Sequence, residues 1–194
     1  MKAAQINAYG DKDVLKTVND APKPSIQPNQ ILVEVNAAGV NPFDITVRTG
    51  GARQMAELKF PATLGGDFAG KVAEIGADVT GFEIGDSVYG QAGALSGQGS
   101  FAEFTPVKAT QTAKAPSGID AATTAALPLT SVSAYQALVD HMHLESGQKI
   151  LIHGGAGGIG ALAIQIAKGM LSLHNMTPSI IHRDLKSLNV FIIQ

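Results

Sequence analysis

The sequence contains no cysteine among its 194 residues, which excludes disulfide bonds and any zinc site with cysteine ligands. Charged residues make up only 15% and the formal net charge is −2, so there is no electrostatic basis for binding nucleic acid or an anionic membrane. The sequence also lacks an apolar run as long as a membrane span, a signal-peptide core and an internal repeat. We therefore expect a cytoplasmic protein.

Hydrophobic residues, at 45%, are abundant enough to form a folded core. Between residues 1 and 120 they occur in short β-rich runs that are separated by glycine-rich or proline-rich turns about every ten residues. This spacing favours a β-barrel or sandwich, with most of the glycines serving turns and bulges. The runs that we predict as strands are residues 31–35, 70–76, 86–90 and 100–105.

The pattern changes after residue 120. Asp120 is placed to cap a helix over residues 121–127, Pro128 interrupts it, and a second helix is predicted over 131–144. Residues 149–153 then form an apolar run of strand length, and apolar residues recur at helical spacing from Ile159 onward. The expected fold class is α/β with a β-rich start.

A glycine-rich loop, GAGGIG, lies between this strand and this helix at residues 155–160. In such a loop the first glycine makes a tight turn, the second lets the backbone approach a pyrophosphate, and the third lets the helix pack closely on the strand. The amides and the dipole at the helix start favour an anion. The alternative is a strand-to-helix turn that binds nothing.

Several motifs now resemble the zinc-free quinone oxidoreductase branch of the medium-chain dehydrogenase/reductase family. They occur in the family's order and spacing and cover residues 1 to about 168. The matching stretches are AAGVNPFD at 37–44, PATLGGDFAG at 61–70, GFEIGDSVYG at 81–90, LPLT at 127–130 and the glycine loop.

The resemblance implies a GroES-like β-barrel domain over residues 1–120 and the start of an NADPH-binding Rossmann domain over 121–168. It also implies hydride transfer from NADPH to a quinone or another electron-poor alkene or carbonyl. The zinc-dependent branch places a cysteine where Asn41 and Pro42 stand, so no metal is expected. The cofactor-binding residues that it implies are Asn41, Thr130, Ser133, Gly155, Ala156, Gly157, Gly158, Ile159 and Gly160.

No side chain is assigned a catalytic role, because in this chemistry the cofactor carries the hydride and the protein supplies position and electrostatics. Asp44 and Asp67 are interpreted as turn and capping residues, with a position near the cleft as the alternative. His141 and His143, two residues apart on a helix, point to different faces and do not suggest a metal site. His153 is interpreted as a packing residue.

The tail departs from the family. Residues 169–194 resemble the catalytic loop of tyrosine-kinase-like serine/threonine kinases, with the string HRDLKSLN at 182–189. In that family Asp184, Lys186 and Asn189 would carry phosphoryl transfer. The other kinase motifs are missing, so the chain is interpreted as a fusion. Residues 179–182 could replace the second Rossmann strand, which would place Arg183 near the ribose of the cofactor.

An incomplete Rossmann sheet would leave apolar faces uncovered, with residues 190–193 as an exposed edge strand. We therefore expect impaired turnover and oligomerisation or aggregation through that face. The preference for NADPH over NADH stays open, since the segment that would decide it is replaced. Two alternatives also stay open: a non-catalytic barrel module and a kinase-related pseudo-domain.

Overall fold

The computed structural model describes residues 1–145, 148–173, 181–183 and 190–193, with side chains up to residue 169. The chain divides by its contacts into two compact units, Met1–Leu129 and Thr130–Gln194, whereas the sequence predicted a boundary after residue 120. The fold class is α/β with a sheet-rich first unit, as predicted. Within the described ranges, no helix is both long and apolar enough to cross a membrane.

The first unit contains two antiparallel sheets. The smaller one has the strand order β2-β1-β4, and the larger one has the order β7-β3-β5-β6-β8. The strands of the smaller sheet are β1 (Ala3–Ile6), β2 (Lys16–Val18) and β4 (Ala62–Thr63). Those of the larger sheet are β3 (Gln30–Gly39), β5 (Asp67–Ile75), β6 (Ser87–Gln91), β7 (Phe104–Lys108) and β8 (Thr112–Lys114).

The predicted strands at 31–35, 70–76 and 86–90 are confirmed, since they fall on β3, β5 and β6. The strand predicted at 100–105 is wrong over most of its length, because β7 begins only at Phe104. The backbone from Phe101 to Glu103 is paired irregularly instead: Ala4 N–H donates to the Phe101 carbonyl, and Glu103 N–H donates to the Lys2 carbonyl. These bonds to the N-terminal segment replace a regular ladder.

Each sheet of the first unit covers its own cluster of buried apolar residues. One cluster is built around Ile6, Val47 and Leu64. The other lies on the larger sheet and consists of Ile31, Val33, Phe68, Val72, Val88 and Val107. Branched and aromatic side chains suit the pleated surface of a sheet, which explains why this region folds as β-structure.

Short helices connect and follow the strands. Helix α1 (Pro42–Arg48) begins with proline, which suits a first helical position. Helix α2 (Ala121–Ala125) is capped by Asp120, as predicted. Helix α3 (Pro128–Tyr135) starts at the proline that was expected to interrupt the helical region, and it continues into a π-helical turn, Gln136–His141, so the helix predicted over 131–144 ends early.

The second unit is built on strand β9 (Lys149–His153) and helix α4 (Gly158–Leu173), both of which the sequence predicted. Strand β10 (Ile181–Arg183) pairs parallel to β9, as expected for a second Rossmann-type strand. Strand β11 (Val190–Ile193) pairs antiparallel to the other side of β9. The sheet order is β10-β9-β11, so β11 lies at an edge of this sheet, as was expected of residues 190–193.

Up to residue 169, where the structure describes side chains, the core of the second unit is made of smaller side chains than the cluster on the larger sheet of the first unit. It contains Leu138, Ile150 and Ile152 together with Ala134, Ala163 and Ala167. Alanine at three of these positions lets helix backbones approach the strand closely, which positions the start of α4 directly beyond the end of β9.

Candidate functional site

Asn41 occupies the N-cap of α1, where two carboxylates surround it. Its backbone N–H donates to Asp44 Oδ2 at 2.7 Å, and Asn41 and Asp44 form a capping box. Asp44 is only 5% exposed. The capping role predicted for Asp44 is therefore confirmed.

Asp67 begins strand β5 and is 1% exposed. Its Oδ2 accepts from Asn41 Nδ2 at 3.0 Å. The backbone N–H of Leu129, in the first turn of α3, donates to both of its carboxylate oxygens at 3.1 and 3.2 Å. Asp67 thus lies in a strand rather than in the turn that was predicted, and it caps a helix that is 62 residues away in sequence.

Burial raises the pKa of both carboxyls above the ordinary aspartate value. For Asp44 the hydrogen bond from Asn41 opposes this effect and the neighbouring charge of Asp67 adds to it. For Asp67 the hydrogen bonds from Asn41, Leu129 and Gln91 oppose the rise in pKa. Buried acids with shifted pKa values mark a candidate site, and structural hydrogen-bond networks produce such shifts as well.

A cavity of about 400 Å³ opens beside this cluster, which is within the size range of small-molecule sites. Its polar lining includes Asn41, Asp44 and Lys108. Its apolar lining includes Phe43, Met55, Ala92, Leu95 and Leu129. The cavity therefore suits a small, mostly apolar molecule with a few polar groups.

The predicted phosphate loop lies in the second unit, between β9 and α4. Gly154 takes a left-handed conformation with φ 65°, so it makes the turn that the sequence analysis assigned to Gly155. The N–H of Gly157 then donates to the Gly154 carbonyl at 2.9 Å. Gly154 could have been identified from the sequence, because it is a glycine directly after the strand. It was missed because it lies one residue before the six-residue motif.

The third glycine of the motif has no room for a side chain. A Cβ on Gly160 would overlap the carbonyl oxygen of Gly154, whereas a Cβ on Gly157 would lie 3.3 Å from that oxygen. Residues 156–158 are exposed and Gly160 is buried. The close packing predicted for Gly160 is therefore confirmed, and Gly157 is exposed, while its approach to a pyrophosphate stays a prediction.

Thr130 lies against the same loop, since a Cβ on Gly158 would be 3.2 Å from Thr130 Cγ2. Ser133 is half-buried one turn later on α3. Helix geometry places residues three apart on the same side, so both side chains can serve one site. The structure thus brings Thr130 to the glycine loop within the second unit, and Asn41 belongs to the first unit.

Those of the remaining candidates that the structure describes do not come together at a second site. His141 ends the π-helical turn and His143 follows it with φ 47°. In the part of the chain that the structure describes, no three metal-ligating side chains come together. His153 ends β9. Asp184, Lys186 and Asn189 of the kinase-like string lie outside the described residues.

Comparison with known proteins gives a match for the first unit. Residues 27–117 match the alcohol dehydrogenase GroES-like domain. The chain is 40% identical over 173 residues to the 2-methylene-furan-3-one reductase of Solanum lycopersicum, covering 87% of this chain and 44% of the relative. It is 33% identical over 168 residues to a quinone oxidoreductase of Pongo abelii, covering 87% of this chain and 50% of the relative.

Solved structures extend the similarity to the fold. The quinone oxidoreductase of Coxiella burnetii superposes with a TM-score of 0.79 at 35% identity, covering 93% of this chain and 55% of that one. An alcohol dehydrogenase superfamily protein of Novosphingobium aromaticivorans gives 0.80 at 36% identity, covering 93% and 52%. The chain spans about half the length of the relatives that it matches.

Proposed function

Because the GroES-like domain and these relatives support the medium-chain dehydrogenase/reductase family for this chain, we propose an NADPH-dependent oxidoreductase function of the quinone oxidoreductase type. The reaction is hydride transfer to a quinone or another electron-poor alkene or carbonyl, without zinc. The bound cofactor would supply the hydride, and the chain would supply position and electrostatics. A cytoplasmic location belongs to the same proposal.

The observation that carries this proposal is the geometry of the glycine loop. The loop exposes residues 156–158 at the start of a sixteen-residue helix, while Gly160 is packed against Gly154. Backbone amides of a first helical turn have no partner within the helix and point toward an anion. The residues present therefore fit a pyrophosphate, and we assign its binding to Gly155, Ala156, Gly157, Gly158, Ile159 and Gly160, with Thr130 and Ser133 beside them.

The cavity of the first unit supports the substrate class. Its lining combines apolar side chains, which suit the ring of a small acceptor, with a few polar groups that would orient it. Asn41 is assigned to the cofactor or substrate at this cavity, which it lines. The hydride acceptor gains negative charge, and hydrogen-bond donors that are already in place stabilise such charge.

Titration calorimetry with NADPH tests the proposal on the full chain. We expect saturable binding by the wild type and none by Gly157→Val, whose added methyl groups occupy the exposed surface that a phosphate would approach. Gly169→Ala is the matched control, because it changes a glycine of the same helix at which a Cβ meets nothing within 4 Å. The control should bind as the wild type does.

Two results would overturn the proposal. The first is no NADPH binding by a wild type that unfolds cooperatively, which would favour a non-catalytic barrel module. The second is equal binding by the wild type and Gly157→Val. A parallel assay follows NADPH oxidation with a small quinone and with an enone, and titration with NADH in place of NADPH gives the cofactor preference.

A further inference from the structure

Asn41 is held at its backbone and at its side chain by two different buried carboxylates. Asp44 accepts from the backbone N–H, and Asp67 accepts from the side-chain amide. The backbone contact is local, but the side-chain contact is not, since Asp67 is 26 residues away in sequence. An amide at the edge of a cavity would otherwise rotate freely and present either of its ends to a ligand.

The chemistry of Asp67 decides which end of the amide faces it. An ionised carboxylate only accepts hydrogen bonds, so the Asn41 atom beside it must be Nδ2 and not Oδ1. The capping box turns Oδ1 toward the first turn of α1. The second hydrogen of Nδ2 then remains as the group that the amide can offer to a ligand.

We propose that Asp67 is a positioning residue that fixes the side-chain amide of Asn41, so that the amide presents an N–H donor at the cavity. This proposal rests on the proposed function for the identity of the ligand. The ligand group that it recognises is a carbonyl oxygen of the small acceptor that would occupy the first unit's cavity. Asp67 touches neither and acts through Asn41.

The surroundings of Asp67 support a fixed orientation rather than a mobile one. Its carboxylate receives the N–H of Leu129 on both oxygens, and Gln91 Nε2 lies 3.5 Å from Oδ1. Its backbone carbonyl accepts from Ser100 Oγ at 2.8 Å. Each of these partners is a donor. Asp67 is therefore held at its carboxylate and at its backbone carbonyl, and the carboxylate acts as an acceptor.

The informative variant is Asp67→Asn. Its Oδ1 can keep the bond from Leu129 while its Nδ2 faces Asn41, which then has to turn its own Oδ1 toward residue 67. The hydrogen bond between residues 41 and 67 is kept, but the amide of Asn41 is reversed, so it gives up its part of the capping box and meets the ligand carbonyl with an oxygen. Loss of one hydrogen bond to a ligand corresponds to about a tenfold weaker Kd.

The test measures the affinity for a small quinone and the midpoint of thermal unfolding for the wild type, Asp67→Asn, Asn41→Ala and the double variant. We expect Asp67→Asn to weaken quinone binding about tenfold, with an unfolding midpoint lowered no further than in Asn41→Ala. In the Asn41→Ala background, Asp67→Asn should have no further effect, because its action passes through the missing amide. Asp78→Asn controls for the lost negative charge, since Asp78 is exposed; its affinity should not change.

A measurement without ligand separates this inference from the proposed function. The side-chain amide resonances of Asn41 in a ¹H–¹⁵N spectrum, assigned by their loss in Asn41→Ala, should shift in Asp67→Asn and stay in place in Asp78→Asn. Unmoved resonances would overturn the positioning role whether or not NADPH binds. Equal losses of affinity from Asp67→Asn in the presence and absence of the Asn41 amide would overturn it as well.

Discussion

The two units of the chain build their candidate sites from different materials. The first unit uses side chains: an amide and two buried carboxylates beside a cavity. The second unit uses backbone: glycines whose missing side chains leave amides and carbonyls exposed or tightly packed. Under the proposed function, charged side chains would serve the substrate and neutral backbone would serve the phosphates.

The buried cores of the two units, as far as their side chains are described, also differ in the size of their side chains. The larger sheet of the first unit buries Phe68 and branched side chains, and the second unit buries alanines around Leu138 and Ile152. Large side chains fill the space within a sheet, whereas small ones let a helix start close to a strand end. The stability of the first unit should therefore depend on the volume of its buried side chains. That of the second unit should depend on how closely the backbone of helix α4 approaches the loop after strand β9.

The largest expected effect tests this difference in core packing. Phe68 is fully buried, and Phe68→Ala should lower the free energy of unfolding by about 3–5 kcal/mol because it removes a large side chain and leaves a cavity. Leu138→Ala, fully buried in the second unit, should cost about 2–5 kcal/mol and less than Phe68→Ala. Urea unfolding measures both values, and hydrogen exchange assigns each loss to its unit.

Exposed apolar residues provide the controls for these core variants. Ile84 is 72% exposed in the first unit and Val132 is 48% exposed in the second. Replacing either by alanine should change the unfolding free energy by no more than about 0.5 kcal/mol. A loss for Leu138→Ala larger than that for Phe68→Ala would contradict the proposed difference between the two cores.

The second prediction concerns the backbone approach in the glycine loop. Gly160→Ala should destabilise the second unit by about 1–3 kcal/mol, since its Cβ would overlap the carbonyl oxygen of Gly154. Gly169→Ala should instead stabilise helix α4 by about 0.8–1.0 kcal/mol, since alanine is the better helix former and its Cβ meets no neighbour. Equal stability of the two variants in urea would show that the loop has room to relax.

Much of the fold could be predicted from local patterns. Alternating apolar residues identified β3, β5 and β6, and apolar residues at helical spacing identified α4. The wrong strand boundaries arise where hydrogen bonds to residues distant in sequence determine the backbone conformation. Strand β7 starts late because Phe101 and Glu103 bond to the N-terminal segment, and such pairing across about a hundred residues leaves no local periodicity.

The candidate site shows the same limit. The glycine motif was recognisable from its spacing, yet the turn falls on Gly154, one residue before the motif. Asp67 was interpreted as a turn and capping residue, with a position near the cleft as the alternative. Its partners, Asn41 and Leu129, lie 26 and 62 residues away, so only the fold shows which groups it bonds to.

The smallest effect is a pH dependence that separates two kinds of carboxyl in the first unit. Hydrogen bonds from the backbone and the side chain of Thr123 lower the pKa of Asp120. The pKa of Asp86 is lowered by a hydrogen bond from the backbone of Glu83 and by one from the side chain of Lys114. These groups bind protons less readily in the folded state, so their stabilisation is present above pH 3.8 and is lost as the pH falls through the lowered pKa. Burial raises the pKa of Asp44 and Asp67, so their contribution has the opposite sign and stability falls as the pH rises above 3.8 toward their folded pKa.

Asp120→Asn separates these contributions, because asparagine keeps an N-cap oxygen for Thr123 but does not titrate. Urea unfolding between pH 3 and pH 7 should show a shallower loss of stability in acid for this variant than for the wild type. Asp78→Asn, which removes an exposed carboxylate elsewhere in the same unit, should leave the acid limb unchanged. An identical acid limb for Asp120→Asn and the wild type would mean that the cap bonds of Asp120 do not depend on its charge, and the first unit would then resemble the second in relying on neutral hydrogen bonds.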